Sequence, residues 1–167
     1  HIGTILDYSV EGEESEKSFD NTVLEILRTI ERASESPDIP FSVFKVTGLA
    51  STDLLEKAQN GALLTNEEQA AYERLRQRVD QLCRRAYERN IRIFFDAEES
   101  WIQDTIDLLS YEMMDRYNHE RCIVYNTYQL YRWESLDHLK KETEIARKKG
   151  YLLGAKLVRG AYIEKER

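Results

Sequence analysis

Between residues 19 and 33 the apolar side chains Phe19, Val23, Ile26, Leu27 and Ile30 recur every three to four positions, the spacing of an amphipathic helix. Ser36 and Pro37 supply its stop. Residues 41–46 are apolar and partly alternating between Pro40 and Gly48, which predicts a short buried strand with Lys45 near its end. Residues 48–64 are long for a connection and predict a short helix over 53–60. Thr65 followed by Glu68 is a capping-box pair, and Tyr72, Leu75, Val79, Leu82 and Ala86 continue from it at helical intervals until Asn90. Residues 91–95 then read as a second strand that stops at Asp96.

The alternation continues. A helix is predicted over 100–117, a third strand over 122–125 ending near Asn126, a helix over 135–149 closed by Gly150, and a fourth strand over 151–158. Strands spaced by about 30 residues with a helix between them make βα units, so the sheet should be parallel with its helices outside. That is the α/β class. Periodicity by itself leaves a doubly wound sheet and a barrel both open.

Composition changes this picture little. A chain of 167 residues with 41% apolar content suits one globular domain. A formal charge of −7 and a pI near 5.1 argue against a nucleic-acid partner. Cys83 and Cys122 are far apart and outside any C-x-x-C pair, and His119 and His138 lack paired ligand spacing, so no metal site is expected. No apolar run approaches the roughly 20 residues that span a bilayer. The chain starts at His1 without Met and ends on the charged residues Glu164, Lys165, Glu166 and Arg167, which suggests that it is part of a longer one.

Parallel α/β folds bind ligands at the C-terminal ends of their strands. The residues delivered there are Lys45, Asp96, Asn126, and Lys156 with Arg159. A lysine in an apolar strand either snorkels or has an anionic partner, and Asp96 is a credible one. For the acidic run of Asp96, Glu98 and Glu99, capping of the following helix is the simpler alternative. Asn126 could read an amide or heterocycle edge, or cap a loop. In the segment from Gly154 to Tyr162 two cations flank a strand end, and Gly160 and Ala161 let a planar anionic ligand approach the backbone. The glycines do not form G-x-G-x-x-G. Arg74, Arg76, Arg78, Arg84 and Arg85 read as a solvated helix face, and Tyr125, Tyr128 and Tyr131 as packing.

The motifs Phe44-Lys45-Val46-Thr47, Asp96-Ala97-Glu98-Glu99 and Gly154-Ala155-Lys156-Leu157-Val158-Arg159-Gly160-Ala161-Tyr162, with a leading Ile5-Leu6-Asp7-Tyr8-Ser9-Val10-Glu11-Gly12, resemble in order and spacing those of proline dehydrogenases. The last motif is similar to the monofunctional and mitochondrial branch, since Arg usually replaces its Lys in the long bifunctional bacterial proteins. The resemblance implies a distorted (βα)8 TIM-type barrel that binds FAD at its strand ends, oxidises L-proline to 1-pyrroline-5-carboxylate and passes electrons to a membrane quinone. It implies peripheral membrane association at the cytoplasmic face of a bacterial inner membrane, or at the mitochondrial inner membrane. Lys45 would contact the substrate carboxylate, Asp96 would organise the cations, and Tyr162 would lie on the substrate side. Asn126, usually Gln in the family, would bond the flavin ring. Lys156 would approach flavin N5, and Arg159, Gly160 and Ala161 would line the cofactor.

On this reading residues 1–167 form the N-terminal half of the barrel: 1–40 a leading segment and helix, 41–167 four strand-helix units. The family's later Tyr-x-x-Arg-Arg-x-Glu clamp for the proline carboxylate is not in this sequence. A half barrel leaves edges that the other half or a second copy should cover. The competing reading is a noncatalytic fragment or pseudoenzyme that assembles through those edges. A folate-reductase-like flavin barrel would need an acid and aromatic set that the sequence does not display.

Overall fold

A computed structural model of the chain describes residues 2–8 and 15–164. Part of the leading motif, from Ser9 to Gly12, and the C-terminal Lys165, Glu166 and Arg167 lie outside the described residues. The elements in order are β1 (Ile5–Asp7), α1 (Glu16–Ser34), β2 (Phe41–Phe44), a 3-10 turn (Val46–Gly48), α2 (Thr52–Gln59) and α3 (Asn66–Arg89). They continue with β3 (Arg92–Phe95), α4 (Ser100–Tyr117), β4 (Val124–Gln129), α5 (Ser135–Lys149) and β5 (Ala155–Val158).

All neighbouring strands are parallel, and their order across the sheet is β1-β2-β3-β4-β5. A doubly wound sheet reverses its strand order at a switch point, and this one does not. Strands laid down in sequence with a helical crossover between each are one arc of a (βα)8 barrel. Period-2 alternation then gives every strand an outer and an inner face. Outward, Phe44, Ile93, Phe95 and Val124 join Ile26, Ile30, Leu82 and Ile106 of the helices in one buried core. Inward, Phe41 stacks on Phe94 with ring centroids 4.4 Å apart, and Tyr125 meets both rings edge-on. These aromatics fill the barrel interior below the strand ends.

Local signals account for the boundaries. Thr65 and Glu68 close the expected capping box on α3, Asn90 ends that helix at φ 54°, and Gly150 ends α5 at φ 80°. The strands differ from the sequence reading in number and bounds, and the last, expected over 151–158, is confined to Ala155–Val158. There are five strands rather than four, because β1 is a three-residue strand defined by its pairing with Phe41–Val43 rather than by any pattern of its own. β2 stops at Phe44, and Lys45 is the extended residue before the 3-10 turn. β4 begins two residues late, where the Asn118 carboxamide oxygen takes the N–H groups of Ile123 and Val124 while the Ile123 carbonyl accepts the Ile93 N–H, and it runs on to Gln129. The arginine face is also not uniformly solvated: Arg78 is buried, donating to Glu16, to Asp20 and to the Leu49 carbonyl.

Gly154 permits the close approach of β5 to β4. A Cβ there would lie 2.2 Å from the Val124 carbonyl oxygen and 2.9 Å from the Tyr125 Cα, both backbone atoms with no room to yield. Gly154→Ala is therefore expected to destabilise the protein by about 2–3 kcal/mol, read as a lower urea midpoint at an unchanged m-value. An unchanged midpoint would show that β5 is not held this tightly.

Candidate active site at the strand ends

Three strand ends converge on one carboxylate. The Asp96 N–H donates to the Phe44 carbonyl, extending the β2–β3 ladder by one residue and fixing the Asp96 backbone beside Lys45. Asp96 Oδ2 accepts from Lys45 Nζ at 2.9 Å, and Oδ1 accepts from Lys156 Nζ at 3.1 Å. The three side chains are 25%, 18% and 31% exposed, in that order, so their attraction is screened less than at the surface. Burial pushes the Asp96 carboxyl up, yet the Lys45 and Lys156 ammoniums outweigh it and hold the group below its ordinary range. For Lys45, burial favours the neutral amine, but the Asp96 hydrogen bond and charge win and its pKa is raised. Lys156 also rests over the Phe94 ring, 5.2 Å from its centroid. With two ammoniums on one carboxylate, the trio carries a surplus positive charge.

The loops that present this trio are tied together by Glu98. Its carboxylate accepts the Thr47 backbone N–H at 3.2 Å and the Thr47 hydroxyl, joining the turn after Lys45 to the segment after Asp96. Glu98 is 2% exposed; burial raises its carboxyl, opposed by the Thr47 bonds. The capping expected of the acidic run does not occur. Glu99 occupies the N-cap of α4 without a side-chain cap bond, and Glu98 is spent on Thr47.

A mouth of about 200 Å³ opens above the trio, lined by Lys45, Asp96, Thr127, Gln129, Gly160 and Tyr162, among others. Burial pushes the Tyr162 phenol up, and the neighbouring Lys45 opposes the shift. Gln129 donates from Nε2 to the Glu98 carbonyl at 2.9 Å and offers Oε1 to the Ala161 N–H at a loose 3.4 Å. Gly160 is at φ 108°, where only glycine is relaxed, and a Cβ would strike the Tyr131 ring at 2.2 Å.

Of the residues singled out from the sequence, Lys45, Asp96, Lys156, Gly160, Ala161 and Tyr162 meet at this mouth. Arg159 is exposed, and its carbonyl accepts the Tyr131 N–H. Asn126 is elsewhere, and its expected place beside a ring at the mouth is corrected. It lies in mid-strand and points to the helical layer, where Nδ2 donates to Asp107 at 2.7 Å and Oδ1 has no hydrogen-bond partner. The inward residues of β4 are Tyr125, Thr127 and Gln129, so the residues missed at the mouth are Thr127 and Gln129. Alternation carried on to Gln129 would have found both.

The arrangement can hold a small anion against two ammoniums, and can present N–H donors and a relaxed glycine backbone to a planar group beside it. An arc of sequentially ordered βα units with a cationic cluster at its strand ends defines the class, a (βα)8 barrel seen over its first half. The description of the proline dehydrogenase family matches residues 1–167, and the chain belongs to that family. Two relatives illustrate it. The chain is 32% identical over 166 residues to the carbapenem antibiotics biosynthesis protein CarD of Pectobacterium carotovorum subsp. carotovorum, covering 99% of this chain and 44% of that protein. It is 38% identical over 127 residues to human mitochondrial proline dehydrogenase 1, covering 72% and 21%. The crystal structure of proline utilization A from Bdellovibrio bacteriovorus inactivated by N-propargylglycine superposes with a TM-score of 0.76 at 19% identity, over 98% of this chain and 18% of that one. The chain thus spans less than half the length of these relatives.

Proposed function

We propose that this segment supplies the front wall of the active site of a flavin-dependent proline dehydrogenase, which oxidises L-proline to 1-pyrroline-5-carboxylate and passes the electrons to a quinone. The observation that carries it is the Lys45–Asp96–Lys156 cluster with its surplus positive charge beside Gly160, Ala161 and Tyr162. The donor set suits FAD at the side of the mouth nearest β5. Lys156 and the loosely held Ala161 N–H offer donors to the polar edge of a planar ring, and Gly160 removes the side chain that would stand in its way. A bound flavin supplies the two-electron acceptor. Lys45 binds the proline carboxylate as an ammonium, Asp96 fixes the direction of both lysines, and Tyr162 closes the substrate side. Gln129 replaces Asn126 as the β4 side chain at the cofactor wall.

Electron transfer to a quinone calls for contact with a membrane surface, at a bacterial inner membrane or the mitochondrial inner membrane. Among the described residues no helix is long and apolar enough to cross a membrane. A second reading, assembly through the barrel edge without catalysis by itself, is favoured by Leu157 in β5 and Leu152 just before it, which are 56% and 47% exposed. The flavin spectrum and proline-dependent dye reduction of the complete protein separate the two.

Lys45→Ala tests the substrate assignment. Losing one charge-assisted contact to the carboxylate costs about 2 to 3 kcal/mol, or roughly 30- to 150-fold in kcat/KM, with most of the change in KM and the flavin absorbance retained. Unchanged proline kinetics, or loss of all flavin, would reassign Lys45.

A further inference from the structure

Lys45 stands where the ladder has ended. β2 stops at Phe44, whose carbonyl takes the last rung from the Asp96 N–H, and Lys45 follows in extended conformation, φ −103° and ψ 136°, ahead of the 3-10 turn at Val46–Gly48. The place of its ammonium therefore depends on where that turn sits. Inside the turn, Thr47 gives both of its donors to one side chain: its N–H donates to Glu98 Oε2 at 3.2 Å and its hydroxyl to Glu98 Oε1. Each carboxylate oxygen holds one atom of the residue two places beyond Lys45.

Glu98 is itself clamped. Its N–H donates to Gln103 Oε1 at 2.8 Å and its carbonyl accepts from Gln129 Nε2 at 2.9 Å, so α4 and β4 grip its backbone from two sides. The Gln103 amide is oriented in turn, because its Nε2 donates to Asp107 at 2.7 Å. Glu98, Gln103, Asp107 and Gln129 are all buried. A carboxylate buried this far costs the fold unless its hydrogen bonds return more, and both oxygens of this one are directed at the turn that carries Lys45. Lys45 and Gln129 are among the described residues that line the mouth, and Thr47 and Glu98 are not.

We propose that Thr47, anchored by Glu98, is a positioning residue for proline binding: it sets the turn from which Lys45 reaches the substrate carboxylate, and touches neither substrate nor flavin itself. The role rests on the reading of Lys45 as the carboxylate contact. Asp96 fixes the ammonium end of Lys45 and Thr47 its backbone end, so both ends of the side chain are set before substrate arrives. A misplacement of about 1 Å at such a contact can cost about 10²-fold, and loss of the Thr47 hydroxyl alone, which leaves the N–H bond in place, costs less.

The test is steady-state kinetics of the complete protein, flavin bound, in a double-mutant cycle between Thr47 and Lys45. Thr47→Val is expected to raise the proline KM about tenfold, with kcat within about twofold and the flavin absorbance unchanged. Thr47→Ser keeps the hydroxyl and should restore the wild-type KM. Glu98→Asp keeps the charge but draws it back from Thr47 by one methylene, and should raise KM in the same sense. In a Lys45→Ala background neither Thr47→Val nor Glu98→Asp should raise KM further, because the group they position is gone; a purely structural role would show the same loss in both backgrounds. Unchanged KM in Thr47→Val and Glu98→Asp, a further rise on top of Lys45→Ala, no recovery with serine, or loss of flavin absorbance would each overturn the positioning role. Lys45→Ala alone separates that role from the reading beneath it. If it leaves proline KM unmoved, the carboxylate contact is wrong and the role of Thr47 falls with it; if it raises KM while Thr47→Val and Glu98→Asp do not, only the role of Thr47 falls.

Discussion

Asp96→Asn and Asp96→Ala should both lower kcat/KM for proline by roughly 10²- to 10³-fold, a larger loss than Lys45→Ala gives, and should weaken flavin retention as well. Removing one member of a buried charge cluster costs about 3–5 kcal/mol where water is excluded. The side chains here keep 18–31% exposure, which brings the expected figure to about 3–4 kcal/mol. Among the described residues Asp96 is the carboxylate that hydrogen-bonds both Lys45 and Lys156, so its loss releases both ammoniums and sets them against each other. The asparagine variant is the informative one. Asparagine caps a helix about as well as aspartate, so a capping role would leave Asp96→Asn near wild type. Glu99, not Asp96, is the N-cap of α4, and the charge is what the two lysines need. Steady-state kinetics with the flavin absorbance of each variant decides between the roles.

The pH behaviour of the cluster follows from the two directions of shift. Asp96 is depressed in the folded protein, so its contribution is complete above the ordinary carboxylate range and is lost only as pH falls through its lowered value. Lys45 is raised, so its contribution is complete below the ordinary lysine range and is lost as pH rises through the folded value. The Asp96–Lys45 pair should therefore stay charged and paired from about pH 5 to pH 9. Any change in proline KM inside that window arises from another group.

The mouth was legible in the sequence wherever a charge interrupts an apolar run. Lys45 follows Phe44, Asp96 follows Phe95, and Lys156 lies within Ala155–Val158, so each advertised itself as a strand-end exception that needed a partner. Asn126 was misplaced for a physical reason. Cys122 and Ile123 are apolar and look like the start of a strand, yet the Asn118 side chain, five residues earlier and invisible to periodicity, accepts the Ile123 and Val124 N–H groups where the strand was expected to start. Because β4 runs on to Gln129, Asn126 lies in mid-strand, and its register opposite Phe95 puts it on the helix-facing side while Thr127 and Gln129 reach the mouth. β1 had no such pattern at all, because three residues cannot display alternation, and its position is set by β2. Whether the sheet was doubly wound or a barrel was likewise beyond local pattern, since strand order is a property of pairing.

Gly160→Ala should abolish stoichiometric flavin and lower stability by about 2–4 kcal/mol, and a second substitution should separate its two causes. One cause is the backbone: at φ 108° an L side chain is strained by about 1–3 kcal/mol wherever its atoms point. The other is contact, because the new methyl would lie 2.2 and 2.4 Å from Tyr131 Cδ1 and Cε1, with Gln129 Oε1 at 3.0 Å. Tyr131→Ala removes the ring and leaves the backbone as it was. In the double variant the stability lost to the clash should return, while the part lost to φ should remain, giving a coupling of about 1–2 kcal/mol in a double-mutant cycle. Flavin binding should not return, because the alanine methyl still stands beside Gln129 at the wall where a planar ring must approach. Full recovery of the yellow protein in the double variant would mean that Gly160 serves only to clear Tyr131, and the cofactor wall would then have to be drawn without it.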